Sequence, residues 1–396
     1  MNKVDRSLIG TENLAPIWSR RQALAGAGAL AIGALAGCRP HNAALAPRPS
    51  LRAKLAQMVL VGFRGTILAA DNPILADIRG LGIGGVALFS YDVALHSVVR
   101  NVESPRQVAA LTAGLRRQAV TPLMIAIDQE GGKVARLDEK HGFPPTQPAQ
   151  ELGARGDPAR TFAAASKMAQ TLKAAGINHN FAPVVDLNTY PDNPAIGRIG
   201  RSFSADPGVV AAQAEAFIRA HWEHGITTTL KHFPGHGSSR GDTHLGFVDV
   251  TDTWEPSELE PYHRLIARGL ADTVMTAHVL NGQLDQDTVA TLSRPTITGI
   301  LRRQMGFDGV VFTDDMQMGA IADNYGFEEA VVRAVEAGVD VVAIANNIAF
   351  DPDIAGRVID ILASAVARGR LAESRIDESY RRIMALKARW AKTTAT

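Results

Sequence analysis

Gly225-Ile226-Thr227-Thr228-Thr229-Leu230-Lys231-His232 decides the fold because of what stands before it. From Pro207 to His224 the spacing is helical, and proline is favoured as a first helical residue. Gly225 then stops the helix, since glycine accepts the left-handed backbone that a helix end requires. Thr228–His232 reads as a short strand covered on both faces.

The same unit recurs outward in both directions. Strand-like runs lie at Met58–Phe63, Gly85–Phe89, Leu123–Asp128, His179–Val185, Thr228–His232, Thr273–His278, Gly309–Thr313 and Val339–Ala345. Helical spacing marks Pro105–Ala119, Pro158–Ala175, Pro207–His224, Pro256–Gly269, Pro295–Met305 and Phe327–Ala337. Gly176, Gly225, Gly306 and Gly338 each stand just before the next strand segment. Eight strands alternating with helices predict an α/β protein, a single (β/α)8 TIM-type barrel. Asp353–Arg368 and Ser374–Lys392 read as extra C-terminal helices. A doubly wound sheet would place a glycine-rich phosphate loop after its first strand, whereas Gly82-Ile83-Gly84-Gly85 precedes one.

The 396 residues carry 41 Lys and Arg against 40 Asp and Glu. A net charge of +1 argues against a dedicated nucleic-acid binder, which normally shows a basic surplus. The single cysteine, Cys38, excludes an internal disulfide and a cysteine-rich zinc site.

The first 37 residues read as an address. Ser19-Arg20-Arg21 precedes an uncharged run, Ala23–Gly37, rich in alanine and glycine and short for a membrane span. Leu35-Ala36-Gly37-Cys38 resembles a bacterial lipobox, and the paired arginines resemble a Tat export signal. The expectation is a signal peptide over residues 1–37, lipidation at Cys38 and a proline-rich tether over 38–50. The barrel then occupies 51–396, and the protein is exported and held at a membrane facing the periplasm or cell exterior.

Polar residues gather at the predicted strand ends, where a (β/α)8 barrel places its active site. Those ends read Asp128-Gln129-Glu130-Gly131-Gly132, Val185-Asp186, Lys231-His232-Phe233-Pro234-Gly235-His236-Gly237, Thr276-Ala277-His278 and Thr313-Asp314-Asp315. Burying that many ionisable groups for structure alone would cost several kcal/mol for each one left unpaired. Asp242 and His244 are two apart, so an extended segment puts them on one side. A carboxylate beside an imidazole orients the ring and favours its charged form. His232, His236, Asp242 and His244 also invite a metal reading, but Pro234 and Gly235 break the helix that a His-x3-His zinc site uses.

His232-Phe233-Pro234-Gly235-His236-Gly237 with Asp242 and His244, together with Asp128–Gly132 and Gly309–Asp314, resembles glycoside hydrolase family 3. The resemblance runs from about Leu55 to about Ala345 and points to the bacterial β-N-acetylglucosaminidases. It implies a glycosidase acting on carbohydrate, with no metal or organic cofactor. Asp314 resembles the nucleophile, with Asp315 a non-catalytic neighbour. His244 resembles the general acid/base and Asp242 its partner. Asp128, Arg136, Arg201, Lys231 and His232 resemble the sugar-contacting positions, Arg201 being favoured over Arg198 by motif position. Other readings stay open for several of these residues. Arg136 fits a solvated surface, His278 a satisfied core position, and Asp186 a loop-holding role. His236, Trp222 and Trp254 fit loop structure and packing. Rival functions are a family 3 β-glucosidase, an N-acetylglucosaminide phosphorylase, a metal-dependent hydrolase and a lipid-anchored glycan-binding protein without catalysis.

Overall fold

A computed structural model describes residues 49–393. The expected signal peptide, Cys38 and nearly all of the tether lie outside the described residues. Eight parallel strands carry the fold: β1 (Val59–Gly62), β2 (Gly85–Leu88), β3 (Met124–Ile127), β4 (His179–Asn180), β5 (Thr227–Phe233), β6 (Thr273–Thr276), β7 (Val310–Phe312) and β8 (Val342–Ile344). Each pairs with its sequence neighbour from β1 to β7, and β1 pairs with β8 through Val59–Val342, Leu60–Ala343 and Val61–Ile344. A parallel bridge from Phe312 to Val341 joins β7 to the approach of β8, which completes the circuit. This is the predicted (β/α)8 barrel.

Helices α1 (Leu51–Gln57), α2 (Pro105–Gln118), α3 (Pro158–Ala174), α4 (Pro207–Glu223), α5 (Glu260–Ala267), α6 (Pro295–Gln304), α7 (Phe327–Ala337), α8 (Ile354–Ala367) and α9 (Glu373–Thr393) accompany the strands. The β1–β2 crossover is the shorter Pro73–Ala76 running into Asp77–Leu81. The predicted start and stop signals act as expected. Asp206 caps α4 by accepting the Gly208 and Val209 amides at 2.7 and 2.9 Å. At the end of α3, Gly176 takes φ +72°, and Ile177 and Gly176 donate back to the Leu172 and Lys173 carbonyls. Strand side chains are buried throughout the barrel, and each fully buried Val, Leu or Ile contributes about 1.5–3 kcal/mol.

Three expectations need correction in detail. The strand from His179 is regular only to Asn180, because Pro183 has no amide hydrogen for the ladder and pairing resumes as one bridge, Val184 to Lys231. The helix expected over Pro256–Gly269 is split into a turn at Pro256–Leu259 and α5, with Pro261 in the first turn of α5. The segment from Pro295 is wound more widely than an α-helix, with π-type hydrogen bonds. At the N-terminal end of the strands, α9 packs on α1. There Lys387 Nζ donates to Gln57 Oε1 at 2.6 Å and to the Gly84 carbonyl at 2.7 Å.

Candidate active site

The C-terminal strand ends surround a cavity of about 350 Å³. Asp128, Arg136, Arg201, Lys231, His232, Asp242, His244 and Asp314 all line it, so the expected site residues meet in one place. Asp315 and Glu130 line it as well. Arg198 is exposed and does not, which leaves Arg201 as the arginine of that segment in the site.

The floor is an ionic cluster. Lys231, at the end of β5, is buried and donates to Asp128 Oδ1 at 2.8 Å and to Glu130 Oε1 at 2.7 Å. The Arg201 fork donates to both oxygens of Glu130 at 2.7 Å. Arg136 reaches Asp128 more loosely at 3.5 Å, and its buried Nε has no partner. Burial alone would push both carboxyls up. Instead Lys231 and Arg136 hold Asp128 below its usual range, and Arg201 and Lys231 hold Glu130 at about 2. Burial likewise opposes the Lys231 charge, and the two carboxylates outweigh it. Removing one member would strand its partner charge in a dry setting, at a cost of several kcal/mol.

Asp186 fixes the loop that follows β5. Its Oδ1 accepts the His232 and His236 amides at 3.1 and 2.9 Å, and its Oδ2 takes His232 Nδ1 at 2.7 Å. Arginine can only donate, so the 3.2 Å contact from Arg201 Nη2 makes His232 Nε2 an acceptor and places the ring proton on Nδ1. Asp186 does not line the cavity; its bonds hold the loop backbone and the His232 ring. His236 bonds Ser239 and Thr243, and burial pushes it down to about 4, so it stays neutral. The nitrogens of His232 and His236 are thus engaged within the protein, and the described residues contain no metal-holding group of His, Cys, Asp and Glu.

Asp242 and His244 form the pair expected from their spacing, but through a tight turn. Asp242 Oδ1 accepts the His244 amide at 3.0 Å and meets His244 Nδ1 at 2.7 Å. The bond to Asp242 raises the His244 pKa, and the bond to His244 lowers Asp242 to about 2. The His244 side chain is 60% exposed, at the mouth of the cavity.

Asp314 follows β7 and is half-buried in the cavity wall. Burial opposes its charge, but His278, His244 and the Asp315 amide, which donates to its Oδ1 at 2.8 Å, hold it below the ordinary carboxylate value. Asp315 is different. Its Oδ1 accepts the Ala345 and Gln317 amides at 2.8 and 3.2 Å, and burial pushes it up to about 6. One carboxyl is free to act in the cavity while its neighbour ties β7 to the end of β8. His278 is satisfied by Thr291 and the Asp315 carbonyl. Trp222 donates to Asp272 and Trp254 to the Pro234 carbonyl, so both are structural.

Sequence reasoning missed Glu130 as a site residue. The available signal was the period of two: Asp128 and Glu130 share one side of an extended segment. The apolar wall of Phe89, Tyr91, Val93, Met318 and Ile348 was also missed, since its members come from separate loops.

The family profile described as glycosyl hydrolase family 3 N terminal domain matches residues 50–386. A β-hexosaminidase of Xylella fastidiosa (strain M12) is 41% identical over 298 residues, covering 73% of this chain and 83% of that protein. A family 3 β-N-acetylglucosaminidase structure from Paenibacillus sp. str. FPU-7 superposes with TM-score 0.79 at 38% identity. That match covers 87% of this chain, which spans 63% of the longer Paenibacillus chain. A β-N-acetylhexosaminidase structure from Beutenbergia cavernae DSM 12333 matches at 31% identity and TM-score 0.75, over 86% of this chain and 99% of its own. With the barrel, the ionic floor and the Asp242–His244 pair, these matches identify the chain as a glycoside hydrolase belonging to glycosyl hydrolase family 3.

Proposed function

We propose that this hydrolase is a retaining exo-β-N-acetylglucosaminidase that releases terminal N-acetylglucosamine from peptidoglycan fragments or related glycans. The observation that carries the reading is the meeting of two unlike groups in one cavity. Asp314 is a half-buried carboxyl held in its charged form, and His244 is an imidazole whose proton is held by Asp242.

In this mechanism the Asp314 carboxylate attacks the anomeric carbon while protonated His244 gives its proton to the leaving oxygen. The glycosidic bond breaks and a glycosyl-Asp314 ester forms. Neutral His244 then takes a proton from water, whose oxygen attacks the same carbon and frees Asp314. Having given up its proton in the first step, the imidazole is neutral in the ester intermediate, so it puts no second negative charge beside the carboxylate that is to depart. Asp128, Lys231, Arg201, Arg136 and His232 offer fixed donors and acceptors for sugar hydroxyls. The preference for an N-acetyl sugar is drawn from what the relatives are named for. In the same reading residues 1–37 direct export, and acylated Cys38 holds the enzyme at a membrane.

The test is turnover of an aryl β-N-acetylglucosaminide against the aryl β-glucoside, with and without phosphate. It is coupled to intact mass after trapping with a fluorinated sugar. The expected result is hydrolysis of the N-acetyl substrate independent of phosphate and one sugar added at Asp314. Preference for glucoside, or a sugar phosphate product, would replace the reading with one of its rivals. Mass of the mature membrane-bound protein checks acylation at Cys38.

A further inference from the structure

Glu258 is a buried carboxyl that the mechanism does not use. It lies in the turn Pro256–Leu259 and is 1% exposed. Its Oε2 accepts the Gly237 amide at 3.0 Å, and its Oε1 makes no hydrogen bond. The titratable groups facing it are Asp186, from the segment after β4, and Tyr262, from α5. Both are acids, so a carboxyl here is costly as packing, where a neutral side chain would serve better.

Its position explains why it is worth that cost. Gly235–His244 is the segment that carries the Asp242–His244 pair over the cavity. A Cβ on Gly235 would stand 2.6 Å from Glu258 Oε2, so the loop backbone lies directly on this carboxyl. The other anchors of the loop base come from different sides. Asp186 takes the His236 amide, Asn193 donates to the His236 and Gly237 carbonyls at 2.7 and 3.1 Å, and Trp254 donates to the Pro234 carbonyl. Beyond Gly237 the bonds of His244 run to Asp242, within the same loop. The base therefore sets one end of the segment, and the Ala320 amide, donating to the Thr243 carbonyl at 3.3 Å, steadies the other.

We propose that Glu258 is a positioning residue for the acid/base: by holding the Gly237 amide it sets where the Gly235–His244 segment leaves the barrel, and so where His244 stands. It acts through the loop and touches no substrate. The inference rests on the reading of His244 as the acid/base.

The experiment compares Glu258→Ala, Glu258→Gln and His244→Ala on aryl β-N-acetylglucosaminides with good and poor leaving groups, alongside thermal melting. Glutamine keeps an acceptor oxygen for the Gly237 amide, and alanine does not. Glu258→Ala is expected to lower kcat about tenfold or more on the poor leaving group and less on the good one. KM should change by less than about threefold, and Glu258→Gln should restore most of the rate. His244→Ala should show the same leaving-group pattern, more strongly. A Glu258→Ala loss that is equal on both substrates, beside a discriminating His244→Ala, overturns the proposal and leaves Glu258 a packing residue. So does a Glu258→Gln as impaired as the alanine variant. A His244→Ala that fails to discriminate sinks the acid/base reading itself, and this proposal with it. Should alanine prevent folding, Glu258→Asp replaces it. Drawing the carboxyl back by one methylene is expected to reproduce the leaving-group pattern, and a wild-type kcat in that variant overturns the proposal.

Discussion

Replacing Asp314 by asparagine keeps the shape of the side chain and removes its charge. The expected outcome is loss of steady-state hydrolysis by more than about a thousandfold, roughly 4 kcal/mol of barrier, with an unchanged melting temperature within a few degrees. Near-wild-type turnover would end the nucleophile assignment. The Asp242–His244 pair makes a pH prediction with a definite sign. The bond to Asp242 raises the His244 pKa, so Asp242→Asn lowers it again. The alkaline limb of kcat/KM should move to lower pH in that variant, since the acid loses its proton sooner. Glu258 gives a second one. Burial raises its pKa from 4.5 to about 7, so its contribution to stability is full below 4.5 and is lost as pH rises through about 7. The melting temperature of Glu258→Gln relative to wild type should therefore improve between about pH 5 and about pH 8. A constant difference would show that Glu258 does not titrate in that window. At this scale the sequence names Asp128, Lys231 and Arg201 as site residues through motif and strand-end position. It does not name their partners. Arg201 meets Glu130 from 71 residues away and Lys231 meets Asp128 from 103, and separations of that size are set by the barrel.

The elements were the most legible level. Proline starts and glycine stops act locally, through backbone geometry, although the winding of the segments from Pro256 and Pro295 departs from a regular α-helix. What failed was detail that depends on neighbours, such as β4 ending where the ladder meets Pro183. The loop after β5 sits between these cases. Its glycines announce backbone freedom, but only the fold shows what presses on them. A Cβ on Gly237 would lie 1.7 Å from the Leu187 carbonyl oxygen. Gly237→Ala should thus displace the loop, costing about 1–3 kcal/mol of stability. It should also lower kcat by about tenfold or more, well beyond what the melting temperature accounts for. A variant with lowered stability and normal kcat would mean that the loop base can shift without moving His244.

On the scale of the whole molecule, α9 returns to the end of the barrel opposite the cavity and buries Lys387 against Gln57 and Gly84. Burial holds this ammonium down to about 7. A base depressed in this way adds stability as pH rises from about 7 towards 10.5 and withdraws it as pH falls. Lys387→Met should therefore gain a few degrees in melting temperature over wild type near pH 6 relative to pH 9. An equal difference at both values would mean that the lysine is not titrating in the fold. The sequence indicates a closing C-terminal helix here, yet gives no sign of a buried lysine, because its acceptors are a side chain and a carbonyl far upstream.

The pairing of β1 with β8 also bears on how such a chain comes into being. The strand made first on the ribosome waits for the strand made last, so β1 has an open edge until nearly all of the barrel has been synthesised. Lys231, buried between Asp128 and Glu130, cannot find both carboxylates before its own strand is in place. A nascent chain cut short before Val342 would therefore present an unpaired edge and an unfinished hydrophobic interior to its surroundings. Completion of the last strand closes that edge, and α8 and α9, made after it, then cover α1.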